Sequence, residues 1–544
     1  MSTYIRPTSI LATSIGLAAA LGTALTVLAD PPVVGPQVRV DVGGGTQAAN
    51  ETSCASVDGA PNEIVATAND WRQSSGQEII RMSVAVSNDF GATWTDFLVR
   101  PPAQNQTSVE GDPMTCYDPR TGTLWVGAIA FSGNGGLFVA RKNPGESTFQ
   151  PSIMARAAGG ADKGWMAAGI IPGNPNSTRV YIAYNQGVIW SDDLGTTWNT
   201  PRSLGSGIGF LPRVGPEGEL YVAYWDFGSG VMLRRSFDGG NTLDPAIRIA
   251  TRLDTWGTQD GSRFPGTFRV PPLNSIAVDP VSGALYCVYF DTTNIVNGQR
   301  NVDLYFTKST DKGSTWATPR VINGDNNPPG DQFFPWLEVD RAGRIHLLYY
   351  DSRHTVQNDG VVHGMFDAYY ALSADGGATW SEHRLTPESF NSDNDGLNRG
   401  MQFFGDYNGL GLGGDLAYPN YVSSQNGDTD MFVHTIRNRS LALAPPTPGR
   451  VNEVNDVVAS NATPGSTVYF AYGLASGVTN VPGCPGLAVF LGNPAIAGTA
   501  VADVNGVATL RRPVGSAARG RTIFIQAVEQ SSCTPSNVVK TAFQ

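Results

Sequence analysis

Charge is scarce in this chain of 544 residues: Asp, Glu, Lys and Arg together make up 15%. The imbalance is acidic, with a formal net charge of −11, which argues against nucleic acid or an anionic membrane surface as partner. No stretch keeps a helical period, so a helix bundle is excluded. Histidine and cysteine number only 5 each, and no His/Cys group has the spacing of a zinc site. Beyond the N-terminal region no apolar run is long enough to span a bilayer. What is abundant is turn chemistry. There are 64 Gly and 36 Pro, which suits a turn-rich all-β protein. The length exceeds one ordinary core, so at least two domains are expected.

The N-terminus reads as an export signal. Arg6 is the one charge before an apolar, small-residue run from Ile10 to Leu28, and Val27-Leu28-Ala29 offers a cleavage site before Asp30. Residues 1–29 are therefore expected to be removed, with an uncleaved membrane anchor as the alternative. Either way the remainder lies outside the cytoplasm, secreted or at the cell surface.

One motif is written repeatedly. Ser87-Asn88-Asp89-Phe90-Gly91-Ala92-Thr93-Trp94 returns as Ser191 to Trp198, Ser309 to Trp316 and Ser373 to Trp380, and, with its Trp lost, as Ser236 to Leu243. The pattern is Ser-x-Asp-x-Gly-x-Thr-Trp. Its Asp accepts N–H groups further on and closes a turn. Its Gly supplies left-handed backbone. Thr and Trp then begin a strand, where branched and aromatic side chains fit a pleated surface. Five copies at long spacing mean a repeat architecture. These turns resemble the Asp boxes of the sialidase (neuraminidase) superfamily, and the resemblance covers about residues 36–440 and implies a β-propeller. Asp boxes lie on the blade periphery, so their own role is structural.

The blades align on one another. An Asp/Pro turn, a Gly and a β-run recur at Tyr117 to Gly127, Gly215 to Asp226, Val278 to Tyr289 and Val339 to Asp351. Each reads as an inner strand, a tight turn and a second strand. A third strand and the Asp box complete a four-stranded antiparallel blade. The box Asp residues stand at 89, 193, 238, 311 and 375, and the first interval is double the second. Asn143 to Ser147 occupies the place of a decayed box. Strands at Gly409 to Leu412, Leu416 to Tyr421 and Asp430 to Ile436 lack a box and read as a last blade, closed by Gln37 to Val42. The expectation is an all-β chain, a six- or seven-bladed propeller with seven preferred.

After residue 440 the composition changes. Residues 441–450 form a Pro-rich linker, and 451–544 carry short alternating strands that suggest a small C-terminal β-sandwich. Cys484 and Cys533 are the cysteines of this module, and in an exported domain they are expected to pair, free thiols being the alternative. In the propeller, Cys287 reads as a buried thiol, and a bridge between Cys54 and Cys116 stays open.

Function in a propeller gathers where the residues leading into each innermost strand meet at one mouth of the central channel. Those residues read Asn50-Glu51, Glu110-Gly111-Asp112, Asp162-Lys163, Leu211-Pro212-Arg213, Phe268-Arg269, Asp331-Gln332 and Gly405-Asp406-Tyr407. Carboxylates so close raise one another's pKa, as functional sites often do. The resemblance implies an exo-sialidase: three Arg clamping a sugar carboxylate, an Asp acid/base, and a Tyr nucleophile activated by a Glu. On this chain Tyr407, Asp112 and Glu51 (or Glu110) fill the catalytic roles, and Arg213, Arg269 and Arg399 the clamp. The family's Phe/Tyr-Arg-Ile-Pro signature does not precede the first Asp box; Phe268-Arg269-Val270-Pro271 nearly spells it, in the fifth blade. Two alternatives stand beside the enzyme acting on extracellular glycans. One is a non-catalytic propeller binding glycans or cell-surface proteins through Phe333, Phe334, Trp336, Phe403 and Phe404. The other is a structural protein in which Asp331 and Asp406 hold Ca²⁺. The enzyme itself requires no cofactor, Ca²⁺ being the one candidate ion.

Overall fold

The computed structural model describes residues 32–74, 79–101, 109–131, 135–252, 269–296, 299–325, 330–354, 364–397, 402–438, 441–484 and 487–544; the expected export signal and Arg399 lie outside the described residues. Among these there is no α-helix, and no helix is long and apolar enough to cross a membrane.

Seven small antiparallel sheets follow one another along the chain. In the first, Ala49–Val57, Ala60–Asp70, Arg81–Ser87 and Thr95–Leu98 pair in that order. The leading strands of the other six are Gly111–Asp118, Trp165–Ile171, Ile208–Val214, Ser275–Val278, Gln332–Val339 and Gly409–Gly413. Each leading strand lies against the leading strand of the next sheet, and Gly409–Gly413 returns to Ala49–Val57. That closed ring is a β-propeller. The third sheet has three strands, its fourth reduced to a bridge between Val188 and Arg202. The seventh takes its outer strand from the N-terminal side, with Val38 opposite Val433.

Sequence explains how the ring closes. A Cβ on Gly409 would stand 2.6 Å from the Cys54 nitrogen, and one on Gly411 would stand 3.0 Å from the Cys54 sulfur. Only glycine lets the last leading strand come this near the first. Within the ring each sheet is covered on both faces, so second strands such as Leu220–Asp226 and Ile345–Asp351 are buried almost throughout. Each large aliphatic side chain so buried contributes about 1.5–3 kcal/mol.

The repeated turns join third to fourth strands. In the first, Asp89 accepts the Thr93 N–H at 2.9 Å and the Thr93 hydroxyl at 2.6 Å, while Ser87 Oγ accepts the Gly91 N–H at 3.0 Å. The copies at Asp193, Asp238, Asp311 and Asp375 repeat the same bonds. Where the second sheet lacks a box, Glu146 takes over and accepts the Asn143 N–H at 2.8 Å.

From Leu441 a separate core forms around Val468, Phe470, Ala508 and Ile525. It is built on a three-stranded and a five-stranded sheet with a two-stranded hairpin beside them. Cys484 and Cys533 form a disulfide with their Cα atoms 5.4 Å apart. Arg437 donates to the Cys533 carbonyl at 2.9 Å, and Phe90 of the first Asp-box turn packs on the disulfide cluster. Cys54, Cys116 and Cys287 are free and buried, with burial pushing each thiol well up.

Candidate active site

The mouth of the channel is built by one backbone device used again and again. In the first, second, fourth and sixth sheets the leading strand carries a bulge, two residues opposing one, between Asn50 and Ser53, Gly111 and Met114, Ile208 and Leu211, and Phe333 and Trp336. The first bulged residue is left-handed each time: Glu51 (φ 56°), Asp112 (φ 52°), Gly209 (φ 66°) and Phe334 (φ 51°). Lys163 (φ 29°) leads the third sheet in the same way. Glycine sits there without strain, whereas a side chain costs about 1–2 kcal/mol. Three consecutive sheets nevertheless place Glu51, Asp112 and Lys163 at that position. Strain kept by charged residues at a channel mouth points to function.

Their side chains meet residues led in from the fifth and seventh sheets. The Tyr407 hydroxyl donates to Glu51 Oε2 at 3.3 Å, and Asn69 Nδ2 donates to the same oxygen at 2.6 Å. Asn69 Oδ1 accepts the Asp112 N–H at 3.0 Å, and Asp112 Oδ2 accepts the Lys163 N–H at 2.9 Å. Arg269 forks onto Asp406, with Nε to Oδ1 at 2.8 Å and its second nitrogen on Oδ2, and passes 3.7 Å from Glu51 Oε1. Lys163 Nζ lies over the Tyr407 ring, 3.2 Å from its centre, and 4.4 Å from that of Trp165. In front lies a cavity of about 240 Å³ lined by Asp112, Asp162, Lys163, Asn185, Phe227, Arg269 and Asp406, among others.

Charge in this space is tightly coupled. Burial, then Asp112 and Asp406, hold the Glu51 carboxyl well above the usual range. Burial, then Glu51, push the Tyr407 phenol up as well. Burial brings Lys163 down to about 8 despite the carboxylates around it. The arrangement favours the protonated form of both Glu51 and Tyr407 and leaves Asp112 and Asp162 facing the cavity.

Several sequence expectations are corrected. Arg213 does not reach the mouth. The bulge of its sheet lies at Gly209, four residues earlier, which carries Arg213 down the channel. There it donates to Glu338 at 2.7 Å and to the Ile276 carbonyl at 2.8 Å, beside a second cavity of about 230 Å³ lined by Cys54, Cys116 and Trp336. Arg399 lies outside the described residues. Asp331 sits three residues before Phe334, the left-handed position of its sheet. It accepts the Val302 N–H at 3.0 Å, and burial pushes it up to about 7. Asp406 spends both oxygens on Arg269, so the two do not converge on Ca²⁺, and among the described residues no group of three His, Cys, Asp or Glu is placed to hold a metal. Glu110 accepts the Phe131 N–H and closes a strand end. Phe333, Phe334, Phe403 and Phe404 are buried, and Trp336, buried too, lines the second cavity and not the one at the mouth. Sequence reading missed Asn69, Trp165 and Asn185, which stand on second strands or behind the mouth where local spacing gives no signal.

No protein-family model matches the chain, and no curated protein sequence does. Solved structures similar to it include a Trypanosoma rangeli sialidase bound to the inhibitor DANA, at 14% identity and TM-score 0.37, covering 89% of this chain and 82% of that one. A Penicillium chrysogenum α-L-arabinanase is similar at 13% identity and TM-score 0.40, covering 76% and 98%. A Burkholderia pseudomallei lectin, BP39L, is similar at 14% identity and TM-score 0.40, covering 91% and 100%. The propeller fold stands on the sheet order and the ring of leading strands, independently of these likenesses.

Proposed function

We propose that the protein is a secreted glycoside hydrolase whose active site is this mouth, on a seven-bladed propeller followed by a small β-sandwich. The observation that carries the reading is the Tyr407–Glu51 hydrogen bond beside Asp112, with Asp112 lining a small cavity and Tyr407 set behind Lys163. In this mechanism Asp112 protonates the leaving oxygen of the glycosidic bond. The Tyr407 oxygen attacks the anomeric carbon and passes its proton to Glu51 in its ionised form. Water then cleaves the glycosyl–tyrosine bond, with Asp112 now acting as base and Glu51 returning the proton to the Tyr407 oxygen. The 240 Å³ cavity favours one terminal sugar over an internal chain segment.

Sialic acid is the sugar that the tyrosine nucleophile favours, because a neutral phenol approaches an anionic substrate without repulsion. Against it, the Arg269 fork is engaged by Asp406, and Arg213 is engaged in the channel. The test is a panel of fluorogenic glycosides, a sialoside first and neutral pentosides and hexosides beside it, given to the wild type and to Tyr407→Phe. Release of one sugar by the wild type and not by the variant is the expected result. Equal release by both, or none from any glycoside, removes the reading.

A further inference from the structure

Lys163 has no place in the two-step mechanism above, yet no residue at the mouth is set more oddly. Its backbone is left-handed. Its ammonium lies among carboxylates but bonds to none of them, and Nζ is shielded from water without a hydrogen-bond partner. The other described lysines are engaged elsewhere: Lys142 on Glu63, Lys308 on the Gly376 carbonyl, Lys312 on Glu217 and Lys540 over Phe524. Lys163 instead rests on the face of Tyr407 at 3.2 Å. Lys163 lines the cavity, while the Tyr407 ring lies behind it.

We propose that Lys163 is the positioning residue for Tyr407: its cation on the ring face stabilises the negative charge that spreads into the ring as the phenol gives up its proton. This rests on the glycosidase reading for its catalytic meaning, though not for its electrostatics. The charges facing the pair are Glu51 from the first sheet, Asp112 from the second, Asp162 beside Lys163 itself, Arg269 ahead of the fifth and Asp406 ahead of the seventh. Four of these are carboxyl groups, so ionising Tyr407 among them is opposed unless a cation stands against its ring. Arg269 is turned onto Asp406. Lys163 is the cation set against the ring, and a cation over a ring face in a water-shielded site is strongly felt. Burial brings the Lys163 amine down to about 8, so this support is present below that pH and lost above it.

Lys163→Met keeps the length and removes the charge; Lys163→Arg keeps the charge. With either variant folded by circular dichroism, Lys163→Met is expected to lower kcat about 100-fold with KM changed less than about 3-fold, and Lys163→Arg to restore most of it. The alkaline fall of kcat near pH 8 disappears in the Met variant. An independent reading uses 3-fluorotyrosine incorporated throughout, with the Tyr407 ¹⁹F signal assigned by its absence from Tyr407→Phe. That signal is expected to step near pH 8 as Lys163 titrates in the wild type and to show no such step in Lys163→Met. A wild-type signal without that step, or a Met variant that keeps it, overturns the proposal. So does a Met variant with wild-type kcat, or an Arg variant as impaired as Met. If the wild type cleaves no glycoside, the titration alone decides the role of Lys163, and the glycosidase reading falls by itself.

Discussion

The rim turns and the channel mouth use the same residue, aspartate, to opposite ends. At the rim, Asp193 stands in solvent, takes the N–H and hydroxyl of Thr197 at 2.8 and 2.6 Å, and is held down to about 2. At the mouth, Glu51 is buried and Asp406 half-buried beside other carboxylates, and both are pushed up. The rim is satisfied locally: the Asp is bonded within its own turn, and the left-handed backbone at Leu194 and Gly195, like that at Phe90 and Lys312 in other copies, belongs to that turn. The mouth instead puts charged side chains that face one another on left-handed backbone three sheets running, at Glu51, Asp112 and Lys163. Repetition therefore reports how the ring is held together, and departure from the repeat at a fixed place reports chemistry.

The largest way to sharpen that contrast is at the mouth. Asp112→Asn should lower kcat/KM on the glycoside that the wild type cleaves by about 10³-fold or more, because it removes the proton donor without changing shape. The melting temperature should hold. A variant with near wild-type turnover would place the acid elsewhere, Asp162 being next to examine.

A second contrast lies between the propeller and the C-terminal module. Cys484→Ala/Cys533→Ala should cost the module about 2–4 kcal/mol, since the bridge closes 49 residues of sequence. Differential scanning calorimetry should show a transition of its own moving down while the propeller transition and turnover stay. Loss of both together would mean that the Phe90 and Arg437 contacts fuse the two cores.

Asp331 tests burial without function. Its folded pKa of about 7 lies above the ordinary value near 4. The folded state thus holds a proton that the unfolded chain releases, and stability falls as pH rises from about 4 to 7 and then levels. Asp331→Asn keeps an oxygen for the Val302 N–H and should remove that fall, a gain of about 1–3 kcal/mol at pH 8 and little at pH 4. Urea denaturation at the two pH values measures it. A variant that loses stability equally at both would show that the carboxylate is ionised and paired.

The smallest effect belongs to the rim. Asp375→Ala removes the partners of the Thr379 N–H and hydroxyl and should cost about 1 kcal/mol, because water replaces part of what is lost. A thermal melt should drop slightly with kcat unchanged. A loss of activity there would contradict a purely structural rim.

The ring and its turns were legible because Ser-x-Asp-x-Gly-x-Thr states its own hydrogen bonds in one short window. The leading strands were legible too, so Glu51, Asp112, Arg269, Asp406 and Tyr407 are found at one mouth. What was not legible is where each strand bulges. A left-handed glycine leaves a trace at Gly209, but a left-handed Glu51, Asp112 or Lys163 leaves none. The alignment therefore slipped by four residues at Arg213 and by three at Asp331, enough to send one side chain down the channel and the other onto Val302 of the fifth sheet. Asn69 was invisible for a different reason. It serves Glu51 and Asp112 from a second strand, and only the folded ring brings the three together.

The central claim is that Tyr407 bonds to the sugar. A fluorinated glycosyl fluoride of the sugar the wild type releases should slow the second step and leave the glycosyl group on the enzyme. Peptide mass spectrometry is predicted to find that mass on Tyr407 and on no carboxylate. The same mass on Asp112 or Asp162, or turnover with no covalent species at all, would contradict the account.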